Sequence, residues 1–335
     1  MKKLLFIGFV ALVVGSVCWA PPAGCAQPPS GASDSRQEQL AAAIEKLPEN
    51  ARVLLRDIVL RPEFKGVLSK EQAQELAKRL GCDLKQTALT LISLAKIYAL
   101  PPISNFHVGA VAIGRSGSLY FGCNLEFPGQ ALSFVVHGEQ SATMNAWTHG
   151  ETELEALAIT ASPCGYCRQF LNELNSAGQL EILLENSPAT RLSALLPQSF
   201  GPVDLGIKAK LMEKDAQPLQ LPDADKDKVI AAALAAAASS YAPYSLNHAG
   251  LALESQDGVL VSGRYAENAA YSPSMSPLEA ALVLYNFANQ DFARIKRAVL
   301  VQTKAETANQ EGATRAVLSS LPGSPKLEIY WAKPK

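Results

Sequence analysis

The second half of this sequence repeats the first, and this repeat restricts the possible folds more than any other feature. YALPPISNFHVGAVAIGRSGSLYFGCNLE is matched by YAPYSLNHAGLALESQDGVLVSGRYAENA, and the segments that follow keep nearly the same spacing. A repeat of this length predicts two copies of one structural unit packed together. Overlaying the copies aligns HGEQSA with PLEAAL, so that Glu139 is matched by Glu279 and His137 by Pro277.

Signals for helices and strands alternate within the first copy. Two apolar runs joined by RSG, in FHVGAVAIGRSGSLYFGCNLE, predict a β-hairpin. HGEQSATMNAWTHG and CGYCRQFLNELNSAG have helical patterns, and ELEALAITA and LEILLE are typical of buried strands. This alternation predicts the α/β class, with a three-layer α/β/α sandwich duplicated in tandem.

The repeat also predicts the domain boundaries. We expect the first copy over residues 83–217 and the second over 218–335, with the charged segment DADKDK near the boundary. Apolar residues at helical spacing from Gln37 to Leu47 and from Ser69 to Leu80 predict a linker and small helical region over 27–82.

The first residues have the pattern of a secretory leader. Two lysines precede an apolar run from Leu4 to Val17, which is short for a membrane span, and small residues allow cleavage after Ala26. We therefore expect a leader over 1–26 and a periplasmic or otherwise exported protein, without a stable membrane partner. Two alternatives stay open. The segment is an extension of a cytoplasmic protein, or Cys25 carries a lipid, although Pro22 disfavours the lipoprotein signal.

The charge balance disfavours a nucleic-acid partner. The chain has 30 basic and 31 acidic residues and a formal charge of -1. It has no basic stripe of the kind that neutralises phosphates. A small-molecule partner is the better expectation.

The CxxC sequence at Cys164 and Cys167 is compatible with a redox disulfide, a structural zinc site or a catalytic metal site. Ser162 and Pro163 form a good N-cap and first-position pair, which would place both thiols in the first turn of a helix, where the dipole favours thiolates. His137, at the start of another helix, would supply a third ligand. Three protein ligands are typical of a catalytic zinc ion that keeps one position for water.

A proton-carrying group lies beside this predicted metal site. Glu139 follows His137 by two residues and could move protons to and from the water. A structural zinc site would need a fourth ligand, for which His107 and His149 are the candidates. However, His107 begins a predicted strand and His149 ends a predicted helix.

HGE and PCGYC match the H-x-E and P-C-x-x-C signature of zinc-dependent deaminases. The resemblance extends through PISNFHVGAV, YFGCNLEFPG, PCGYCRQFLNEL, SFGP and YAENAA. Over roughly residues 83–335 the chain resembles the two-domain, homodimeric bacterial cytidine deaminases. The resemblance implies the cytidine deaminase type of sandwich and one zinc ion per chain, held by His137, Cys164 and Cys167.

The activity implied by the resemblance is the hydrolytic deamination of free cytidine and deoxycytidine to uridine and deoxyuridine plus ammonia, a reaction of pyrimidine salvage. Zinc would activate the attacking water, and Glu139 would be the catalytic proton shuttle. The second copy would be a degenerate domain without metal ligands, in which Glu279 is structural.

The resemblance also implies substrate-binding residues. Asn124 and Glu126 would bind the ribose hydroxyls, and Phe106 would lie against the base. Phe200 would close the pocket of a neighbouring subunit, which implies a homodimer. Gly138 stands where the family usually has alanine, so we expect more room beside the base, and Ala161 would similarly alter the pocket wall.

Three other functions compete with this interpretation. An exported thiol-disulfide protein would use the two cysteines alone. A catalytically silent nucleoside-binding module would keep the fold, although Glu139 argues against it. Deamination within DNA or RNA is disfavoured by the neutral charge and by the predicted ribose contacts, which would clash with a continuing sugar-phosphate chain.

Overall fold

The computed structural model describes residues 32–214 and 216–335; the predicted leader over 1–26 lies outside them. The helices are α1 Ala32–Ile44, α2 Glu49–Val59, α3 Lys70–Leu80, α4 Leu84–Ala95, α5 Gly138–Thr148, α6 Gly165–Leu171, α7 Leu192–Leu195, α8 Lys228–Ala238, α9 Pro277–Phe287 and α10 Glu311–Ser320. The strands are β1 Val67–Leu68, β2 Gly109–Gly114, β3 Leu119–Cys123, β4 Leu154–Ile159, β5 Glu181–Leu183, β6 Thr190–Arg191, β7 Leu219–Gln220, β8 Ala249–Ser255, β9 Leu260–Arg264, β10 Ile295–Thr303 and β11 Leu327–Pro334.

Three helices form the N-terminal region. Ser69 begins α3 with a capping box, in which the amide of Gln72 donates to Ser69 Oγ and the amide of Ser69 donates to Gln72 Oε1. Helix α2 was not predicted, although Leu55 and Ile58 fall on its buried face at helical spacing. The helical region itself is as expected.

The first sheet has the order β1-β3-β2-β4-β5-β6. Strands β2 and β3 form the hairpin predicted at RSG, and β4 pairs antiparallel with β2 and parallel with β5. Helices α4 and α5 cover opposite faces, because a Cβ on Gly109 would meet the backbone of α4 and a Cβ on Gly122 would meet that of α5. The three-layer prediction is confirmed for this copy.

The second sheet repeats this arrangement in the order β7-β11-β10-β8-β9. Strands β8 and β9 form its hairpin, and β10 pairs antiparallel with β8 and parallel with β11. Gly250 approaches the backbone of α8, and Gly263 approaches that of α9. They correspond to Gly109 and Gly122 of the first copy, which approach α4 and α5. The predicted duplication is therefore present in three dimensions.

The sequence overlay of the two copies was wrong by one residue at α5 and α9. A Cβ on Gly122 would meet Gly138 O, and a Cβ on Gly263 would meet Pro277 O, so Gly138 and Pro277 are equivalent. His137 therefore corresponds to Ser276, the N-cap of α9. By the same shift Glu279 corresponds to Gln140 and not to Glu139.

The shift comes from the loop that precedes each helix. In the first copy the bridge from Leu125 to Val136 spans eleven positions, whereas the equivalent bridge from Ala266 to Met275 spans nine. The loop of the second copy is thus two residues shorter, and the sequence overlay had allowed for only one.

A continuous core joins the N-terminal helices to both copies. Arg36 of α1 donates to Asn286 Oδ1 of α9 at 2.8 Å, and Asn286 Nδ2 donates to Tyr98 O at 2.8 Å. These hydrogen bonds satisfy buried polar groups and connect the N-terminal helices, the first copy and the second copy. Among the described residues, none of the helices has the length and apolar character required to cross a membrane.

Candidate metal and nucleoside site

The three predicted metal ligands lie together at the starts of two helices. His137 is the N-cap of α5, Cys164 is the N-cap of α6, and Cys167 lies in the first turn of α6. Their ligand atoms all lie within 4.8 Å of one another. The predicted N-cap, Ser162, was wrong: Cys164 Sγ itself accepts the amide of Cys167, which makes Cys164 the capping residue.

The spacing of these atoms fits a zinc ion. Cys164 Sγ lies 3.7 Å from His137 Nδ1 and 3.5 Å from Cys167 Sγ. Tetrahedral zinc, with bonds of about 2.3 Å to sulfur and about 2.0 Å to nitrogen, separates its ligand atoms by about 3.5 to 3.8 Å. A disulfide would need the sulfurs at about 2.05 Å. Both cysteines are free, as a metal site requires.

The other two candidate histidines lie outside this cluster. His149 Nδ1 lies 2.9 Å from Asn145 O at the end of α5, and His107 is exposed at the start of β2. In the part of the chain that the structure describes, the cluster holds three protein ligands. Its composition therefore suits a catalytic zinc ion better than a closed structural site.

The local electrostatics favour a thiolate. Hydrogen bonds from Cys167 and His137 lower the pKa of Cys164 to about 3. The same bond to Cys164, together with burial, keeps the pKa of Cys167 above its ordinary value. Burial raises the pKa of Glu139, a residue that is 4% exposed. A buried carboxyl group with a raised pKa is suited to holding and releasing a proton.

A cavity of about 260 Å³ opens beside the cluster. This volume is close to the lower end of small-molecule sites, which hold about 300 to 1,000 Å³. The cavity takes in most of the predicted site residues, and its lining comprises Ser104, Phe106, Val108, Asn124, Glu126, Val135, Val136, His137, Gly138, Glu139, Ile159, Ala161, Ser162 and Cys164.

Asn124 and Glu126 line this cavity while also holding the loop that carries Phe106. Asn124 Oδ1 accepts the amide of Val108, and Asn124 Nδ2 donates to Phe106 O, both at 2.9 Å. Glu126 accepts the amides of Ile103 and Ser104 at 2.8 and 2.9 Å. Sequence spacing placed the two side chains together, but it gave no indication of these bonds to the backbone.

The space beside Gly138 is not empty, because Val108 fills it. A Cβ atom at this position would lie 2.8 Å from Cγ1 of Val108. The methyl group of Val108 therefore occupies the room that we expected beside the base. Val108 was not singled out in the sequence, because its proximity to Gly138 depends on how β2 packs against α5.

Phe200 is the one predicted substrate residue outside the cavity lining. It is 46% exposed, and its carbonyl oxygen accepts Gln169 Nε2 at 2.8 Å and Asn172 Nδ2 at 3.0 Å. The helix that carries the two cysteines thus also fixes the segment that carries Phe200. Sequence reasoning missed both amides, although RQFLNEL contains them.

A duplicated α/β/α sandwich with a His-Cys-Cys cluster beside a buried carboxyl group defines a class of metal-dependent enzymes. The family model described as the cytidine and deoxycytidylate deaminase zinc-binding region matches residues 83–179, and a second model with that description matches 192–315.

Curated relatives match over most of the chain. A cytidine deaminase from Serratia proteamaculans is 44% identical over 83% of this chain and 94% of the relative. One from Photorhabdus laumondii subsp. laumondii is 45% identical over 85% and 96%. A solved cytidine deaminase from Mycobacterium tuberculosis is 30% identical, with a TM-score of 0.32, over 35% of this chain and 96% of that one. The identity and coverage of the two curated relatives show that the chain belongs to the zinc-binding cytidine deaminase family.

Proposed function

We propose that the chain is a hydrolase that converts free cytidine and deoxycytidine to uridine and deoxyuridine with release of ammonia. The observation that carries the proposal is the convergence of His137, Cys164 and Cys167 within 4.8 Å at a cavity that Glu139 also lines. These three side chains would hold one zinc ion per chain. When bound, zinc would act as a Lewis acid and lower the pKa of a water molecule to about 7.

Glu139 is the proton shuttle in this proposal. Its carboxylate accepts one proton of the attacking water and delivers it to N3 of the pyrimidine. It then accepts the proton of the new hydroxyl group at C4 and delivers it to the departing amino nitrogen, which leaves as ammonia. Burial raises its pKa, so that the protonated form persists long enough to donate. It lies in the first turn of α5, two residues after His137, and outside the cluster of the three possible metal ligands.

The remaining cavity residues bind the nucleoside. Phe106, which is 56% exposed, offers a ring for the base. Asn124 retains one amide hydrogen beyond its bond to Phe106 O, and Glu126 supplies carboxylate oxygens to the ribose hydroxyls. The formal charge of -1 agrees with a small neutral substrate in place of a nucleic acid.

The assembly and compartment are further parts of the proposal. A homodimer would let the exposed Phe200 cover the cavity of a second copy. The catalytic domain would span 83–217 and the metal-free domain 218–335. The lysines and apolar run within residues 1–26 support export to the periplasm, and cleavage after Ala26 would leave the catalytic domain intact.

The test is metal analysis of the purified protein together with an absorbance assay for loss of the cytidine chromophore. We expect stoichiometric zinc and deamination in the wild type, and Glu139→Ala should retain zinc while losing turnover. Glu279→Gln, at a buried carboxyl group of the metal-free copy, is the matched control and should deaminate normally. Wild-type turnover by Glu139→Ala would remove Glu139 from the mechanism.

A further inference from the structure

Two side chains next to the metal cluster reach across to one turn of the metal-free copy. Tyr166 lies between the two cysteines, and Gln140 lies in the first turn after His137. Tyr166 Oη donates to Ser272 O at 2.8 Å, and Gln140 Nε2 donates to Pro273 O at 3.3 Å. The metal-free copy thus offers two consecutive carbonyl groups to neighbours of the metal ligands.

The ring of Tyr166 also lies beside the imidazole of His137. The rings of Tyr166 and His137 are stacked, with centroids 5.4 Å apart and an interplanar angle of 27°. Because the phenol hydroxyl is anchored at Ser272 O, the ring cannot swing away from His137 without breaking that bond. The stack therefore restricts one face of the ligating imidazole.

Gln140 holds the backbone of the same histidine. Its Oε1 accepts the amide of His137 at 3.2 Å, while its Nε2 donates to Pro273 O. Gln140 is 2% exposed, so both hydrogen bonds of its amide group are buried. The equivalent residue in the other copy, Glu279, accepts the amide of Ser276 but has no amide group to donate.

The turn that receives these bonds is itself well anchored. Met275 and Ala266 exchange amide-to-carbonyl bonds at 2.8 and 3.1 Å, and the amide of Asn268 donates to Ser274 Oγ at 2.9 Å. Asn268 Nδ2 also donates to Gln169 O of α6 at 2.9 Å. Consequently Ser272 and Pro273 present their carbonyl groups from a segment that is held by hydrogen bonds on both sides.

We propose that the metal-free copy positions the metal-ligating imidazole, with Tyr166 and Gln140 as the positioning residues and the carbonyls of Ser272 and Pro273 as their anchors. The inference rests on the metal site of the proposed function and gives the second copy a role in it. Groups that orient a ligating histidine typically change metal affinity or activity by about 10- to 100-fold when removed.

The test measures zinc affinity by competition with a chromophoric chelator. Tyr166→Phe removes only the hydroxyl that binds Ser272 O, and Gln140→Leu removes both bonds of the amide. We expect each to weaken zinc binding by roughly tenfold. Thermal unfolding with and without zinc separates positioning from folding. A purely structural residue lowers the Tm of the zinc-free protein, whereas a positioning residue lowers the increase in Tm that added zinc produces.

Tyr241→Phe is the matched control. The Tyr241 hydroxyl also forms a hydrogen bond between the two copies, donating to Glu173 Oε1 at 2.7 Å. Tyr241 is not among the residues that form the candidate metal site. This variant should lose thermal stability and keep wild-type zinc affinity. Tyr166→Phe removes only one hydroxyl group. It therefore tests the inference even if Gln140→Leu fails to fold.

Two results would overturn the inference and are distinguishable from failure of the proposed function. Wild-type zinc affinity in Tyr166→Phe, or an equal loss of affinity in Tyr241→Phe, would refute the positioning role alone. A wild-type protein that binds no zinc would refute the metal site and the positioning role together.

Discussion

Val108 fills the space in front of Gly138. A Cβ at position 138 would lie 2.8 Å from Val108 Cγ1 and 3.5 Å from Ala110 Cβ, so only the contact with Val108 is too short. Because valine is restricted at χ1, its methyl group cannot move without rotating the whole side chain into or away from the cavity. Overpacking of this kind costs about 1 to 3 kcal/mol.

We therefore expect Gly138→Ala to lower the free energy of unfolding by that amount and to raise KM for cytidine more than it lowers kcat. Val108→Ala should cancel most of the penalty when the two changes are combined. Urea unfolding of the single and double variants measures the coupling. Additive effects would mean that the two side chains do not compete for the same space.

Removing the metal should expose a reactive thiol. Cys164 is exposed and its pKa is lowered to about 3, whereas Cys167 is buried. In a Cys82→Ser background, dialysis against a strong chelator should allow rapid alkylation of Cys164, and added zinc should block it, because a bound thiolate is a poor nucleophile. Mass spectrometry of the peptide reports the difference.

Zinc-independent alkylation of Cys164 would contradict its assignment as a ligand. Rapid formation of a disulfide between Cys164 and Cys167, with no effect of zinc on thermal stability, would instead favour the thiol-disulfide alternative. A bound ion stabilises the folded state by RT ln(1 + [L]/Kd), so a true site raises Tm on addition of zinc.

The segment that carries Phe200 should depend on the two amides of α6. Gln169 and Asn172 both donate to Phe200 O, and a Cβ on Gly201 would lie 2.9 Å from Asn172 Nδ2. The combined change Gln169→Ala and Asn172→Ala frees this carbonyl. If Phe200 contributes to a pocket, KM should rise several-fold while zinc content stays constant.

Gln220→Ala is a suitable control for this prediction, because Gln220 Nε2 likewise donates to a backbone carbonyl, Pro334 O, at 3.0 Å, but in the second copy. It should leave KM unchanged. Steady-state kinetics of the three proteins decide the point, and an unchanged KM in the double variant would show that the α6 amides have no part in binding.

The sequence predicted the local parts of the site and missed the contacts made across the fold. HGE and PCGYC predicted the three side chains that cluster at the candidate metal site, because each motif carries its own helix start. The bond from Tyr166 to Ser272 joins residues 106 positions apart, and no local pattern encodes it. The overlay of the copies failed by one residue at His137 because the loop before α9 is two residues shorter than the loop before α5, and the overlay had placed only one of these two missing residues in that loop.

Glu279 should make stability depend on pH in the direction opposite to a salt-bridged carboxylate. Burial raises the pKa of Glu279 from 4.5 to about 7 in the folded protein, so the folded state holds its proton more tightly than the unfolded state. Its contribution to stability is complete below about pH 4.5 and is lost as the pH rises through 7. At about 1.4 kcal/mol per pKa unit, the change is on the order of 3 kcal/mol.

Glu279→Gln should remove this dependence, because the amide stays neutral at every pH. Urea unfolding of both proteins between pH 3 and pH 8 gives a difference curve that isolates Glu279 from the other buried carboxyl groups. Glu75→Gln is the control, for which the change of stability with pH should have the opposite sign. A hydrogen bond from Arg79 lowers the pKa of Glu75, so the contribution of Glu75 to stability is lost as the pH falls. A flat difference curve for Glu279→Gln would mean that this carboxyl group titrates alike in the folded and unfolded chains.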